Sequence, residues 1–262
     1  MSSLSRRVFL MGASLTGLGF ALASCVTDSA AIKPVVVASA DPATLPAVPV
    51  DGRPTDEITQ PEQPLTPEGT YDYKAIYAQM TDGKFVVPAV DTKRIGAQFL
   101  RAEVDYPSSE PAGTIVVDPR AHYLYYVMGG GRAMRYGVGV GKQGFGWSGT
   151  AEIRYKREWP DWYPPKEMIA RRPDLRGSLA QLQSGVGVRG GPRNPITGRA
   201  MYLWQNNKDT LFRIHGTNEP YSIGHNASSG CIRMIVQDAI DLYKRAPLGG
   251  RVVVLGPGMS EA

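Results

Sequence analysis

Two side chains in the C-terminal third of the chain can do covalent chemistry together. His215 lies in Arg213-Ile214-His215-Gly216-Thr217, and Cys231 lies in Ser228-Ser229-Gly230-Cys231-Ile232-Arg233-Met234. The chain holds only two cysteines and three histidines, so the pairing draws on scarce residue types. A thiolate attacks carbonyl carbon, and an imidazole can take the thiol proton and return it to a leaving group. Glycine and small hydroxyl residues flank Cys231, leaving little bulk against an approaching carbonyl. The same two residues also fit a buried structural cysteine beside a satisfied core histidine, since free cysteine is among the most buried residue types. A metal site built from His215, His225 and Cys231 lacks carboxylates at a recognisable ligand spacing, so neither metal nor cofactor is expected.

The elements that must carry these residues can be read from pattern. From Thr114 onward, short β-branched or aromatic runs alternate with Gly- and Pro-rich turns. Residues 114–118, 123–127, 134–140, 152–156 and 251–255 read as strands. Asp118-Pro119-Arg120-Ala121 and Gly129-Gly130-Gly131 read as hairpin turns. One helix is expected over 236–245, with Asp238 in its first turn, Lys244 and Arg245 in its last, and Pro247 beyond. Tyr73, Ile76, Tyr77 and Met80 fall at helical spacing and predict a short amphipathic helix over 72–81, its stripe serving as packing. The expected class is mostly β with one or two helices (α+β), a sandwich or barrel-like sheet with one helix beside the catalytic segment.

Several other residues stand out. Trp159, Trp162 and Tyr163 sit among Pro160, Pro164 and Pro165 and read as loop packing before they read as a substrate lid. His122 reads as structural, while His225, on a Gly/Asn/Ser-rich loop, and Arg193-Asn194 are placed near the cleft. Gly144-Phe145-Gly146-Trp147-Ser148-Gly149 fits GxGxxG but runs toward a strand, so it is no dinucleotide cradle.

The N-terminus reads as an export signal. Ser5-Arg6-Arg7-Val8-Phe9-Leu10 resembles a twin-arginine motif, and an apolar stretch to Ala23 follows. An uncleaved membrane anchor is the alternative, because the run approaches the length of a span. Leu22-Ala23-Ser24-Cys25 resembles a lipobox, with cleavage before a lipid-bearing Cys25. Cys231 would then have no disulfide partner in an oxidising compartment, which favours a functional thiol. Loss of Arg6 and Arg7 takes the net charge from +5 to +3, a mild excess that suits an anionic polymer and does not argue for nucleic acid. The expected organisation is a signal over 1–24, a Pro-rich tether over 25–69 and a helical lead-in over 70–111. A folded body and a tail over 257–262 complete it.

The string from Arg213 to Met234 resembles the active-site segment of the L,D-transpeptidases, the YkuD-type catalytic domain. His215-Gly216, Ser228, Gly230-Cys231, Ile232 and Arg233 match that pattern, while Ser229 stands where the family more usually has histidine. Residues 111–118, 135–142 and 191–195 extend the likeness over roughly 112–256. The resemblance implies Cys231 as nucleophile and His215 as base, the imidazole being oriented by the Gly216 carbonyl. It implies an oxyanion hole from the backbone N–H groups of Ser229, Gly230 and Cys231, and substrate contacts from Arg233, Ser228 and Tyr221. The implied reaction is acyl transfer from a peptidoglycan tetrapeptide stem with release of D-alanine. The acceptor would be a second stem, giving a 3→3 cross-link, or an envelope protein. Water as acceptor would make an L,D-carboxypeptidase, and a non-catalytic wall-binding lipoprotein is the rival from another class. The implied location is periplasmic, held to a membrane by the N-terminal lipid.

Overall fold

The computed structural model describes residues 63–64, 66, 70–141, 147–164, 166–171, 173–228 and 230–256. The expected signal, Cys25, nearly all of the tether, Ser229 and the tail lie outside the described residues. In chain order the first elements are α1 (Tyr73–Ile76), β1 (Met80–Asp82), β2 (Phe85–Val87) and β3 (Ala102–Asp105). Then come β4 (Ile115–Asp118), β5 (Tyr123–Gly129), β6 (Arg132–Gly137), β7 (Val140–Gly141) and β8 (Gly149–Glu158). Next are α2 (Lys166–Arg171), β9 (Leu179–Leu182), β10 (Gly185–Val188), β11 (Thr197–Gln205) and β12 (Lys208–Gly216). The last are β13 (Asn226–Ser228), β14 (Ile232–Met234), α3 (Val236–Arg245) and β15 (Arg251–Val254). The fold is mostly β with a few helices, as expected. No helix among the described residues is long and apolar enough to cross a membrane.

Among the described residues, nine strands form one mixed sheet in the order β14-β12-β11-β8-β15-β4-β5-β6-β3. The β12–β14 and β15–β4 pairs are parallel, and the other pairs are antiparallel. The sheet curls back on itself. Its core joins Met134 and Tyr136 of β6 to Ile214 of β12 and Ile232 and Met234 of β14, although those strands stand at opposite ends of the order. Just beyond β6, Gly139 and Arg233 exchange both backbone hydrogen bonds, at 2.9 and 2.8 Å, and close the barrel-like turn of the sheet. Ala239 and Leu242 of α3 pack into the same core.

Turn chemistry fixes the hairpins. Gly130 and Gly131 both have positive φ between the paired Gly129 and Arg132, and so do Asn206 and Asn207 between Gln205 and Lys208. Two consecutive left-handed residues make the tight turn whose twist matches paired strands. The Asp118 turn is held by Asp118 Oδ1, which accepts from the N–H groups of Arg120 and Ala121 at 2.9 and 3.1 Å.

The helix expected over 72–81 is a single turn. Asp72 Oδ1 caps Ala75 N–H at 3.0 Å, but Met80–Asp82 is already a strand paired with β2 around Gly83 at φ 60°. The stripe does pack: Ile76 and Tyr77 are buried with Leu100, Ile223 and Ile235. Thus the lead-in is a β-hairpin and short turns as much as helix.

A buried polar group ties that lead-in to α3. Tyr77 Oη donates to Asp238 at 3.1 Å and accepts from Arg101 N–H at 2.9 Å. Arg101 lies 3.7 Å from Asp238 and 3.3 Å from Asp241, and Asp241 also accepts from Arg245 at 2.8 Å and from Tyr136 at 2.5 Å. Asp238 therefore does not face water as a helix-dipole residue would; it is fully buried. Burial pushes its carboxyl up to about 7 against the pull of Arg101, whereas hydrogen bonds and both arginines hold Asp241 below its ordinary value.

Ile214, fully buried between the positions that carry the site, tests the core. Ile214→Ala is expected to cost about 2–5 kcal/mol of stability through lost burial and a residual cavity. The check is a lowered denaturation midpoint at unchanged denaturant slope.

Candidate active site

The parallel pairing of β12 with β14 sets Ile214 against Ile232, His215 against Arg233 and Gly216 against Met234. Strand alternation then gives two faces. Ile214, Ile232 and Met234 point into the core. Arg213, His215 and Arg233 fall on the other face, as does Cys231, two residues before Arg233 and adjoining the start of β14. The register thus gathers the two expected chemical residues and one expected substrate contact on one side of the sheet.

His215 is buried, and its Nδ1 lies 2.9 Å from the Gly216 carbonyl oxygen. A carbonyl only accepts, so Nδ1 carries the hydrogen and Nε2 is left with its lone pair. Glycine is required at 216 by packing, since a Cβ there would come within 2.4 Å of the Thr197 carbonyl oxygen. Cys231 is partly exposed and is the free cysteine among the described residues. Its Sγ lies 3.9 Å from the Leu211 carbonyl oxygen, and that contact, rather than the imidazole, is its hydrogen-bond partner.

The turn before the cysteine is braced from within. Ser228 Oγ donates to the Cys231 carbonyl at 2.6 Å and accepts from Gly230 N–H at 3.1 Å. Ser228 is buried, and its hydroxyl holds the turn. Gly230 N–H is directed at Ser228 Oγ, and Ser229 lies outside the described residues. Gly230 has φ 142°, and a Cβ on it would meet Phe212 at 3.1 Å. Backbone conformation and packing explain this glycine better than access for the reacting carbon does.

The remaining candidates divide. Arg233 is held by Glu219 at 2.6 Å and lies 3.4 Å from Ser222 Oγ. Tyr221 is half-buried under the Arg94 guanidinium, 3.5 Å from its ring centroid. His225 is exposed, and its carbonyl accepts from Val140. His122 bonds Asn226 at 3.0 Å and packs on Phe99, in keeping with a structural role. Asn194 is buried and ties the carbonyls of Pro160, Val188 and Arg189, so it organises its loop. Trp159 packs on Phe85 and donates to Asp82 at 2.7 Å, and Trp162 bridges Val188. Gly149, at the described end of the GxGxxG run, opens β8 rather than a helix. What the sequence reading lacked is the group around Cys231 on β11 and β12: Tyr202, Asp209, Leu211 and Arg213. The Asn206-Asn207 dipeptide between two apolar runs was the available signal for that hairpin.

Electrostatics favour the neutral forms of both chemical residues. Burial pushes the His215 imidazole down to about 4; its bond to Gly216 opposes this, and Arg233 and Arg213 add to it. Burial also pushes the Cys231 thiol above its ordinary value, while the Arg213 N–H and the Arg213 and Arg233 guanidinium groups pull it back and Asp209 opposes them. Both shifts run against a resting thiolate–imidazolium pair. Among the described residues no three His, Cys, Asp or Glu side chains converge to hold a metal ion.

A family model for the L,D-transpeptidase catalytic domain, YkuD, matches residues 112–254. The chain is 29% identical over 150 residues to the Probable L,D-transpeptidase YbiS of Escherichia coli (strain K12), covering 56% of this chain and 45% of that protein. It is also 44% identical over 62 residues to the Putative L,D-transpeptidase YkuD of Bacillus subtilis (strain 168), covering 24% and 37%. The chain spans about half the length, or less, of these curated relatives. A crystal structure described as a Probable carnitine operon oxidoreductase caia from Brucella melitensis is 48% identical, covering 63% of this chain and 99% of that one, with a TM-score of 0.41.

Two outcomes follow from the burial of charge. Alkylation of Cys231 is expected to climb steadily into the alkaline range; an inflection near 4 followed by a neutral plateau would reveal a pre-formed ion pair instead. For stability, His215 binds fewer protons folded than unfolded between about 4 and 6.5, so its contribution rises with pH there. Asp238 binds more protons folded than unfolded between 3.8 and about 7, so its contribution falls with pH. The two oppose each other over the shared window. Asp238→Asn is expected to leave a protein that loses stability on acidification from about 6.5 to 4, and His215→Gln one that loses it as pH rises toward about 7, both read by denaturant midpoints across pH.

Proposed function

The chain belongs to the L,D-transpeptidase family of YkuD-type catalytic domains, and on that premise we propose that it transfers a peptidoglycan stem peptide through a thioester on Cys231. The observation that carries this reading is the His215–Gly216 contact. It leaves Nε2 able to accept a proton, on the same face of the sheet as a partly exposed thiol.

In the first half-reaction Cys231 Sγ bonds to the carbonyl carbon of the third stem residue, a diamino acid, while its proton passes to His215 Nε2. The carbonyl electrons move to oxygen, and the Cys231 N–H is the described donor that can face it. Removing one such donor typically costs about 3–4 kcal/mol in a transition state. Collapse re-forms the carbonyl and breaks the bond to D-alanine, whose nitrogen takes the proton back from His215. In the second half an amine attacks the thioester and gives its proton to His215, and the sulfur leaves and recovers that proton. Arg233 supplies a cation beside the site for a substrate carboxylate, in exchange with Glu219, which is half-exposed. Tyr221 lies close by, where a stem peptide would pass.

The acceptor amine comes from a neighbouring stem or an envelope protein; both need the thioester kept from water. We place the enzyme outside the cytoplasm. Residues 1–24 would act as its export signal, Cys25 as a lipid attachment point, 25–69 as tether and 112–256 as catalytic domain.

The test is incubation of the purified chain with disaccharide-tetrapeptide and mass spectrometry of the products. Release of D-alanine with formation of a 3→3 dimer is the expected outcome. Cys231→Ala and His215→Ala should each reduce it by more than about 10³-fold, because groups that act as a unit are lost as a unit. Tripeptide without dimer would reassign the acceptor to water. Unchanged tetrapeptide with wild-type protein would sink the enzymatic reading and favour a wall-binding protein.

A further inference from the structure

Beside Cys231 the sheet is irregular in a specific way. On β11 Tyr202 and Trp204 are two residues apart, yet their partners on β12 are Arg213 and Asp209, four apart. Thr210, Leu211 and Phe212 therefore bulge from the ladder opposite Leu203. The neighbouring pair carries a matching irregularity, since Tyr202 faces Tyr155 while Leu203 faces Ile153. Bulges beside functional sites re-aim backbone groups, and here the strain is visible. Leu211 is a non-glycine residue at φ 63°, and the residue is 75% exposed.

The bulge is bolted in place by one carboxylate. Asp209 accepts Leu211 N–H at 2.8 Å and takes both Nη1 and Nη2 of Arg213 at 2.7 Å. The guanidinium lies over Tyr202, 4.3 Å from the ring centroid, and also donates to the Phe212 carbonyl at 3.0 Å. Thr210 Oγ1 adds a bond to Leu203 O at 2.6 Å and accepts from Phe212 N–H at 3.2 Å. Both charged side chains are largely withdrawn from solvent, at 14% and 17% exposed. A surface ion pair would be worth little. This one is fork-shaped, stacked and part-buried, and it closes a strained loop whose carbonyl meets the nucleophile.

We propose that the Asp209–Arg213 ion pair is a positioning device for Cys231. It locks the bulge so that the Leu211 carbonyl and the Arg213 N–H flank the sulfur, and it keeps a fixed cation on the sulfur's face of the sheet. The Leu211 carbonyl suits the thiol, as an acceptor for S–H, and the Arg213 N–H suits the thiolate. The charged and titratable groups around the sulfur are Asp209, Arg213 and His215 of β12, Tyr202 of β11, and Arg233 of the β14 segment with its partner Glu219. Of these, Arg213 is the cation joined to the bulge itself. The proposal rests on Cys231 being the nucleophile.

The test is the pH dependence of carbamidomethylation of the peptide bearing Cys231, measured on the full-length chain by mass spectrometry. Arg213→Gln removes the cation, and its alkylation midpoint is expected to rise by about half a pH unit or more, with Arg213→Lys restoring most of the shift. Asp209→Asn keeps an acceptor for Leu211 N–H but removes the anion, and its midpoint is expected to fall. A merely structural pair would move both variants the same way. Shifts of common direction, or none in either, overturn the proposal, and the Asp209→Asn shift decides the matter where Arg213→Gln does not fold. Alkylation is read whether or not D-alanine is released. Loss of the predicted shifts with D-alanine release intact therefore sinks only the positioning role, and the converse sinks only the transferase reading.

Discussion

The parallel pairing of β12 with β14 is the constraint from which the site follows. It covers three residue pairs, yet it decides which side chains enter the core and which share the reactive face. A slip of one residue on either strand would send a chemical residue into the core and a core residue outward, because side chains alternate with period two. The pairing is guarded on several sides. Gly139 bonds Arg233 from across the barrel-like turn, Ser228 holds the preceding turn, and Gly216 permits the close approach of Thr197. Ile214, Ile232 and Met234 anchor the other face, where burial of each large apolar side chain contributes about 1.5–3 kcal/mol. The two chemical residues are thus positioned by backbone pairing and core packing.

Electrostatically the site is built to stay neutral until it is used. Withdrawing the imidazole and thiol from water disfavours their charged forms, and two nearby arginines favour the thiolate while further disfavouring imidazolium. The cations therefore cannot help both members of an ion pair. They help sulfur alone, which fits a nucleophile that is charged only while its proton is in transit. Each arginine is matched by a carboxylate, Asp209 for Arg213 and Glu219 for Arg233, but with different exposure. The first pair is withdrawn and braced on an aromatic ring; the second opens to solvent on its acidic side.

Much of this was legible in the chain, and the parts that were not have physical reasons. The strands at 114–118, 123–127 and 251–255 show plain β-branched or aromatic runs with turns between them, and the helix at 236–245 shows its charges and its proline. The β11–β12 hairpin did not read as strands. Residues from Thr197 to Met201 are buried on both faces, so no alternation shows, and the bulge at 210–212 breaks the period of β12. β13 and β14 span three residues each, too few for any periodic signal. The 72–81 stripe misled because helical spacing over four residues also suits one turn followed by a hairpin. At the site, the His-Gly and Gly-Cys pairs were readable as residue types. The inward turn of Ser228 was not, because only the folded backbone decides which way a small hydroxyl bonds.

The position of β15 has a consequence for how the molecule comes into being. This strand is the last element among the described residues, yet it lies mid-sheet, antiparallel to β8 on one side and parallel to β4 on the other. Before it docks, β4-β5-β6-β3 and β14-β12-β11-β8 are two half-sheets tied at their far edges by the Gly139–Arg233 bonds and the β7–β13 pairing, but open between β8 and β4. A chain emerging N-terminus first therefore makes both His215 and Cys231 before the strand that joins β8 to β4. Contacts between residues far apart in sequence form slowly, since loop closure must precede their reward. This four-residue strand acts as a keystone, and a nascent or C-terminally shortened chain would carry both His215 and Cys231 and still lack the closed sheet that positions them.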